Sequence, residues 1–119
     1  MSRSLNKVTL IGNLATDVEA HAVGDDRKVA SFVLAVDRPG REDADFVRVA
    51  TWNGQADACV RFLAKGKRVA VDGRLRSRTW EEDGKRRSAI EVVAQHVQFL
   101  SAPDGEPESG VVQLEGAAA

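Results

Sequence analysis

Apolar residues along the 119-residue chain recur with a period of two in most stretches and with a helical period in one. Successive side chains of a strand point to opposite faces, whereas a helix repeats every 3.6 residues, so the pattern predicts five strands and one helix. The first strand covers about residues 6–14, with Gly12 at a bend, and residues 17–28 read as a turn-rich connection. The second, about residues 29–36, is nearly continuous in apolar residues and therefore well buried. A short loop, DRPGRED, with Pro39 and Gly40 as turn residues, leads to the third strand, DFVRVATW, at 45–52. Residues 53–66 then change period. Ala56, Cys59, Val60 and Leu63 form one apolar stripe at i, i+3, i+4 and i+7, with Asn53 as the expected cap and Gly66 at the expected helix end. The stripe makes Cys59 a core residue rather than a nucleophile. The fourth and fifth strands, 68–82 and 85–100, flank Asp83-Gly84, a strong two-residue hairpin signal.

The order β-β-β-α-β-β predicts an all-β fold: a small five-stranded Greek-key barrel with the helix between strands three and four plugging one end. This is the order of the OB-fold. Gly12 and Gly73 are the expected sites of its sharp bends.

The outer faces of two strands do not fit a merely structural role. On the third strand Val47, Val49 and Thr51 share one face, and Phe46, Arg48, Ala50 and Trp52 share the other. On the fourth, Val69, Val71, Gly73 and Leu75 face one way, and Arg74, Arg76, Arg78 and Trp80 the other. A row of like charges on one face repels unless an anion neutralises it. Aromatic planes hold unpaired bases by stacking, and interleaved cations track phosphates, so this combination suits single-stranded nucleic acid.

Composition sharpens the reading only modestly. One domain is expected, and the single cysteine fits a reducing compartment. No apolar run is long enough to span a membrane and no signal peptide is visible, so the expected location is cytoplasmic. Residues 1–100 hold 17 Lys and Arg against 14 Asp and Glu, a net +3, and the four acidic residues beyond give the tail −4. Residues 101–119, rich in Pro and Gly, are expected to be a flexible acidic tail.

At this point NKVTLIGNL, the segment from FVRVATWNG to GRLRSRTW, and IEVVAQHVQFL resemble the bacterial single-stranded DNA-binding protein family over about residues 4–100. The resemblance implies an OB-fold, a homotetramer, and sequence-independent binding of single-stranded DNA in replication, recombination and repair, in the cytoplasm at the nucleoid. It implies stacking positions at Phe46, Trp52 and Trp80, with Phe46 standing where the family commonly has tryptophan. Arg48, Arg76 and Arg78 match basic positions on the DNA path; Arg3 and Lys7 resemble further contacts, and Arg74 joins them on its strand face. The DRPGRED loop is shorter than the family's and lacks its tryptophan, so one stacking platform is missing. The tail ends QLEGAAA, without the family's acidic tip and hydrophobic pair. That puts recruitment of replication and repair enzymes through the tail in doubt, and fits either a truncated chain or an accessory paralogue.

Other classes have less support. His21 and His96 have no ligand at metal spacing, and no phosphate-cradling glycine loop occurs. Neither enzyme activity nor a cofactor is expected. The rival reading is an OB-fold protein-interaction or replication accessory module whose arginines meet acidic partners, and RNA binding is a third.

Overall fold

The computed structural model describes residues 3–100; the expected acidic tail, 101–119, lies outside them. Six strands and one helix follow in the order β1 (Val8–Leu14), β2 (Glu19–Val23), β3 (Arg27–Asp37), β4 (Ala44–Trp52), α1 (Asn53–Phe62), β5 (Arg68–Glu82) and β6 (Lys85–Phe99). The neighbours run β1-β5-β6-β4-β3-β2, and β1 also pairs with β3, which closes five strands into a ring. β2 sits outside that ring. It occupies the same edge of β3 as β1 does, pairing with Arg27 to Ser31, whereas Leu34 and Ala35 pair with Leu14 and Asn13.

β2 corrects the expectation of a mere connection over 17–28. Its sequence, EAHAV, alternates, but all five side chains are exposed, so no hydrophobic stripe announces it. It is held by an antiparallel ladder from Glu19↔Ser31 to Val23↔Arg27. His21 accordingly lies on a strand, beside Glu19, and not in a loop.

The inward faces of the strands meet in one core. Phe32, Leu34, Val49, Val69, Val71, Val92 and Val97 are all but fully buried, with Cys59 and Leu63 of the helical segment packed against them. Full burial of each such side chain is worth roughly 1.5–3 kcal/mol. The helix stripe is narrower than the sequence suggested. Ala56, Cys59 and Leu63 are buried, but Val60 is 47% exposed, and Ala58 packs on the core instead.

The helix ends also differ. The chain passes from β4 into α1 without a loop: Trp52 is the N-cap in extended conformation, and Asn53 adopts a left-handed φ of 53°. The Asn53 side chain accepts a hydrogen bond from the Lys28 N–H at 3.3 Å and caps nothing in the helix. Asn tolerates this conformation better than most residues. Gly66 lies beyond the C-cap, Leu63, and donates its N–H to the Leu14 carbonyl, joining the connection to the end of β1.

Two glycines permit closure. A Cβ on Gly12 would sit well inside van der Waals contact of the Ala35 carbonyl oxygen, and one on Gly73 would collide with the Val93 carbonyl. Gly12, paired with Val69 of β5, lies just before Asn13 and Leu14 of β1 also pair with β3, and Gly73 lies at a register shift between β5 and β6. That shift leaves Gln95 without a partner on β5, and its carbonyl accepts a hydrogen bond from Gln55 of the helix. Among the described residues, no helix is long and apolar enough to cross a membrane.

Gly12→Ala and Gly73→Ala should each destabilise the fold by about 1–3 kcal/mol or more, because the opposing atoms are backbone and cannot turn aside; urea unfolding measures this. A second expectation concerns Cys59, whose thiol is pushed up to about 11 by burial, against a lesser opposing effect of its hydrogen bond with Thr51. The unfolded thiol ionises near its ordinary 9.0, so stability should fall as pH rises from there to about 11, and be unaffected by this group below 9. Alkylation at pH 8 should be slow in the native protein and fast only after unfolding.

Candidate functional site

The candidate face is assembled by β6, which lies between β4 and β5. β4 and β6 run parallel, with Val49 against Val92 and Ala50 against Val93. β5 and β6 form a long antiparallel hairpin around Asp83-Gly84, both residues having positive φ as the two-residue turn requires. The outer side chains of β4 and β5 therefore come together across β6, although residues 53–67 separate their strands in sequence.

Glu91 stands at the centre of this face. It is 2% exposed, and a buried carboxylate must be paired. Arg76, directly opposite it on β5, donates from both Nε and Nη2 to Oε2, the Nε bond at 3.1 Å. From β4, Arg48 Nε lies 3.3 Å from Oε1, and Arg78 Nε lies 3.7 Å from the same oxygen. Arg48 also donates from Nη2 to the buried Ser31 hydroxyl at 3.1 Å. The row of like charges on β5 thus has its neutralising anion inside the protein. Three guanidinium groups and one carboxylate leave two net positive charges.

The rings extend the cluster on both sides. The Arg76 guanidinium carbon lies 5.9 Å from the Trp52 ring centroid, and that of Arg78 lies 4.7 Å from the Trp80 centroid. Both are within cation–π range. Trp52, Arg76, Glu91, Arg78 and Trp80 form a connected series, with each tryptophan half-buried and touched by one cation. Phe46 shares the Arg48 side of β4 and is 68% exposed, with no ring or cation contact among the described residues.

The remaining expected residues lie farther out. Arg74 is exposed opposite Val93, on the Arg76 side of β5, and has no ion pair among the described residues. Lys7 precedes β1 and approaches Asp72 at 3.7 Å, at the end of β5 distant from Trp80. Arg3 is exposed in the segment before β1. Leu75, expected on the core face, is 44% exposed because the hairpin outgrows the ring; Asn6 secures its base, donating to the Leu75 carbonyl and accepting from its N–H, both at 2.8 Å. In the DRPGRED loop Arg38 pairs with Asp43 and Asp45, and Arg41 with Asp43, so its cations are spent internally.

Glu91 is the residue that the pattern of outer faces missed. A signal for it existed. A two-residue turn at 83–84 fixes the hairpin register, and that register sets residue 76 opposite residue 91. A lone carboxylate in the apolar run AIEVVA, opposite an arginine, marks an internal pair.

Chemically, the face offers flat apolar rings, one side of each tryptophan touched by a guanidinium, and cations that retain donors toward solvent. Such a surface can stack planar aromatic groups and bind anions between them. Among the described residues, no group of His, Cys, Asp and Glu is placed to hold a metal ion.

The model of the single-strand binding protein family matches residues 5–100. The chain is 43% identical over 102 residues to single-stranded DNA-binding protein 3 of Clostridium acetobutylicum, a match covering 81% of this chain and 71% of that protein. It is 41% identical over 107 residues to single-stranded DNA-binding protein A of Bacillus subtilis, covering 85% and 62%. With single-stranded DNA-binding protein 1 of Chlorobaculum tepidum it shares 36% identity over 113 residues, covering 87% and 70%.

Proposed function

The chain belongs to the single-strand binding protein family, and we propose that it binds single-stranded DNA through the outer face of β4, β5 and β6, without regard to base sequence. Bases stack on Phe46, Trp52 and Trp80, while Arg48, Arg74, Arg76 and Arg78 lie along the phosphates, with Lys7 and Arg3 extending the path. The observation that carries this reading is the alternation of half-buried rings with partly exposed guanidinium groups on one face. Every base has a π-face, so stacking is indifferent to sequence, at roughly 1–3 kcal/mol per base. The protein acts by binding and protecting exposed strands in replication, recombination and repair, in the cytoplasm at the nucleoid, and not as an enzyme. Residues 1–100, of which the family model matches 5–100, act as one binding domain, with 101–119 as an appended acidic tail.

Self-association into a homotetramer is the expected assembly. The outer face of β1, where Ile11 is 50% exposed opposite Ala70, is the surface we assign to contact between copies. Static light scattering should give about four times the 12.8 kDa of the chain; the mass of a single chain would contradict the assembly.

The binding reading is tested by titrating the protein with oligo-dT and following tryptophan fluorescence. Strong, salt-dependent quenching is expected, because stacked Trp52 and Trp80 change environment directly. An interaction module whose arginines meet acidic proteins would show little quenching. Trp80→Ala and Phe46→Ala should each weaken binding by about 5- to 150-fold, the equivalent of one lost stacking contact. An unchanged affinity in the folded double variant would remove these rings from the site.

A further inference from the structure

Both oxygens of the buried Glu91 carboxylate are engaged by arginines that the proposed DNA path also uses, which gives this residue a part in binding although it carries the wrong charge to touch DNA. We propose that Glu91 is a positioning residue for the bound strand: it anchors Arg76, fixes Arg48 and Arg78 on either side, and limits the cluster to two phosphates. The proposal rests on the reading of this face as the single-stranded DNA site.

The three arginines are not held alike. Arg76 is bound by two nitrogens to Oε2. Arg48 approaches Oε1 with Nε at 3.3 Å, without the alignment of a hydrogen bond, and spends Nη2 on Ser31. Arg78 is 3.7 Å away, attracted by charge and not hydrogen-bonded. A guanidinium has five N–H donors, so Arg48 and Arg78 each keep several for an external anion. The Glu91 side chain is 3% exposed while those of the three arginines are 37–39% exposed. A phosphate therefore reaches the guanidinium heads from solvent but cannot displace the carboxylate from below. The carboxylate cancels one of three charges, and it cancels that of Arg76 first, the arginine it holds most closely. Two net positive charges remain for the strand, centred on Arg48 of β4 and Arg78 of β5, the latter beside Trp80, while Arg76 stays on the path with its charge offset.

A carboxylate that merely steadied the hairpin would affect stability without changing how many counterions leave when DNA binds. The salt dependence of oligo-dT affinity separates the two roles. Each phosphate neutralised on a single strand contributes about 0.7 to the slope of log affinity against log salt. Glu91→Gln keeps the shape and removes the charge. Its slope should be steeper than that of the wild type by about 0.7, which is about a five-fold greater loss of affinity per ten-fold rise in salt. Glu91→Asp keeps the charge and should keep the slope, while the retracted carboxylate weakens binding by moving the guanidinium heads. An unchanged slope in folded Glu91→Gln overturns the proposal. Should that variant fail to fold, the wild type decides: on adding oligo-dT, the Nε–H resonance of Arg76 should stay in place while the solvent-facing Nη–H resonances of Arg48 and Arg78 move. Movement of the Arg76 resonance as large as theirs overturns it too. If wild-type protein does not bind oligo-dT, the single-stranded DNA reading itself has failed; if it binds with the slope indifferent to residue 91, only the present inference has.

Discussion

The pairing of β4 with β6, Val49 against Val92 and Ala50 against Val93, places the rest of the candidate face. One residue upstream on each strand stand Arg48 and Glu91, and the antiparallel hairpin brings Arg76 to the other side of Glu91. A parallel pairing needs a long crossover, here supplied by α1 and β5. The ring closes where the end of β1, beside Gly12, pairs with β3 as well as β5 and where the β5–β6 hairpin shifts register beside Gly73, two points where backbones approach too closely for any side chain. The helix, buried through Ala56 and Cys59, then ties to the shifted strand through Gln55 and the Gln95 carbonyl. Closure, core and outer face thus follow from one set of backbone contacts.

The outer face answers a physical difficulty. Arginines spaced two apart on one strand repel each other, and unpaired tryptophans on a surface leave large apolar area in water. The protein relieves both. Glu91 takes one positive charge inside, and Arg76 and Arg78 each lie against a tryptophan ring. The groups are held in place before any ligand arrives, which lowers the ordering cost of binding. Phe46 is left without such support and is the most exposed of the three rings proposed to stack. The neighbouring loop adds no free cation, because Arg38 and Arg41 are committed to Asp43 and Asp45. The cations that lie against rings, Arg76 and Arg78, are therefore those between Trp52 and Trp80.

Much of this was legible in the sequence, for reasons that can be traced. Strands with an apolar inner face show themselves by alternation, as 45–52 and 68–82 do, and the Asp83-Gly84 turn shows itself by its chemistry. What escaped had no hydrophobic signature. β2 is exposed on every residue and exists through backbone pairing with β3. Asn53 has the composition of a helix cap but serves β3, because the chain enters the helix from a strand with no intervening loop. Val60 obeys the helical period yet lies off the core, since a ten-residue helix covering a barrel end needs only a narrow stripe. Leu75 obeys the strand period but lies where the hairpin has passed the end of the ring. Glu91 was accessible through the hairpin register, but only by pairing strands and not by reading each alone.

The central claim is that the rings on the β4–β5–β6 face are where bases lie. Photocrosslinking with an oligo-dT carrying 5-iodouracil, followed by mass spectrometry of the crosslinked peptides, tests it without altering the protein. Crosslinks to Phe46, Trp52 and Trp80 are the predicted result. Crosslinks concentrated instead on α1 or on the outer face of β1 around Ile11, with these three rings unmodified, would contradict the account.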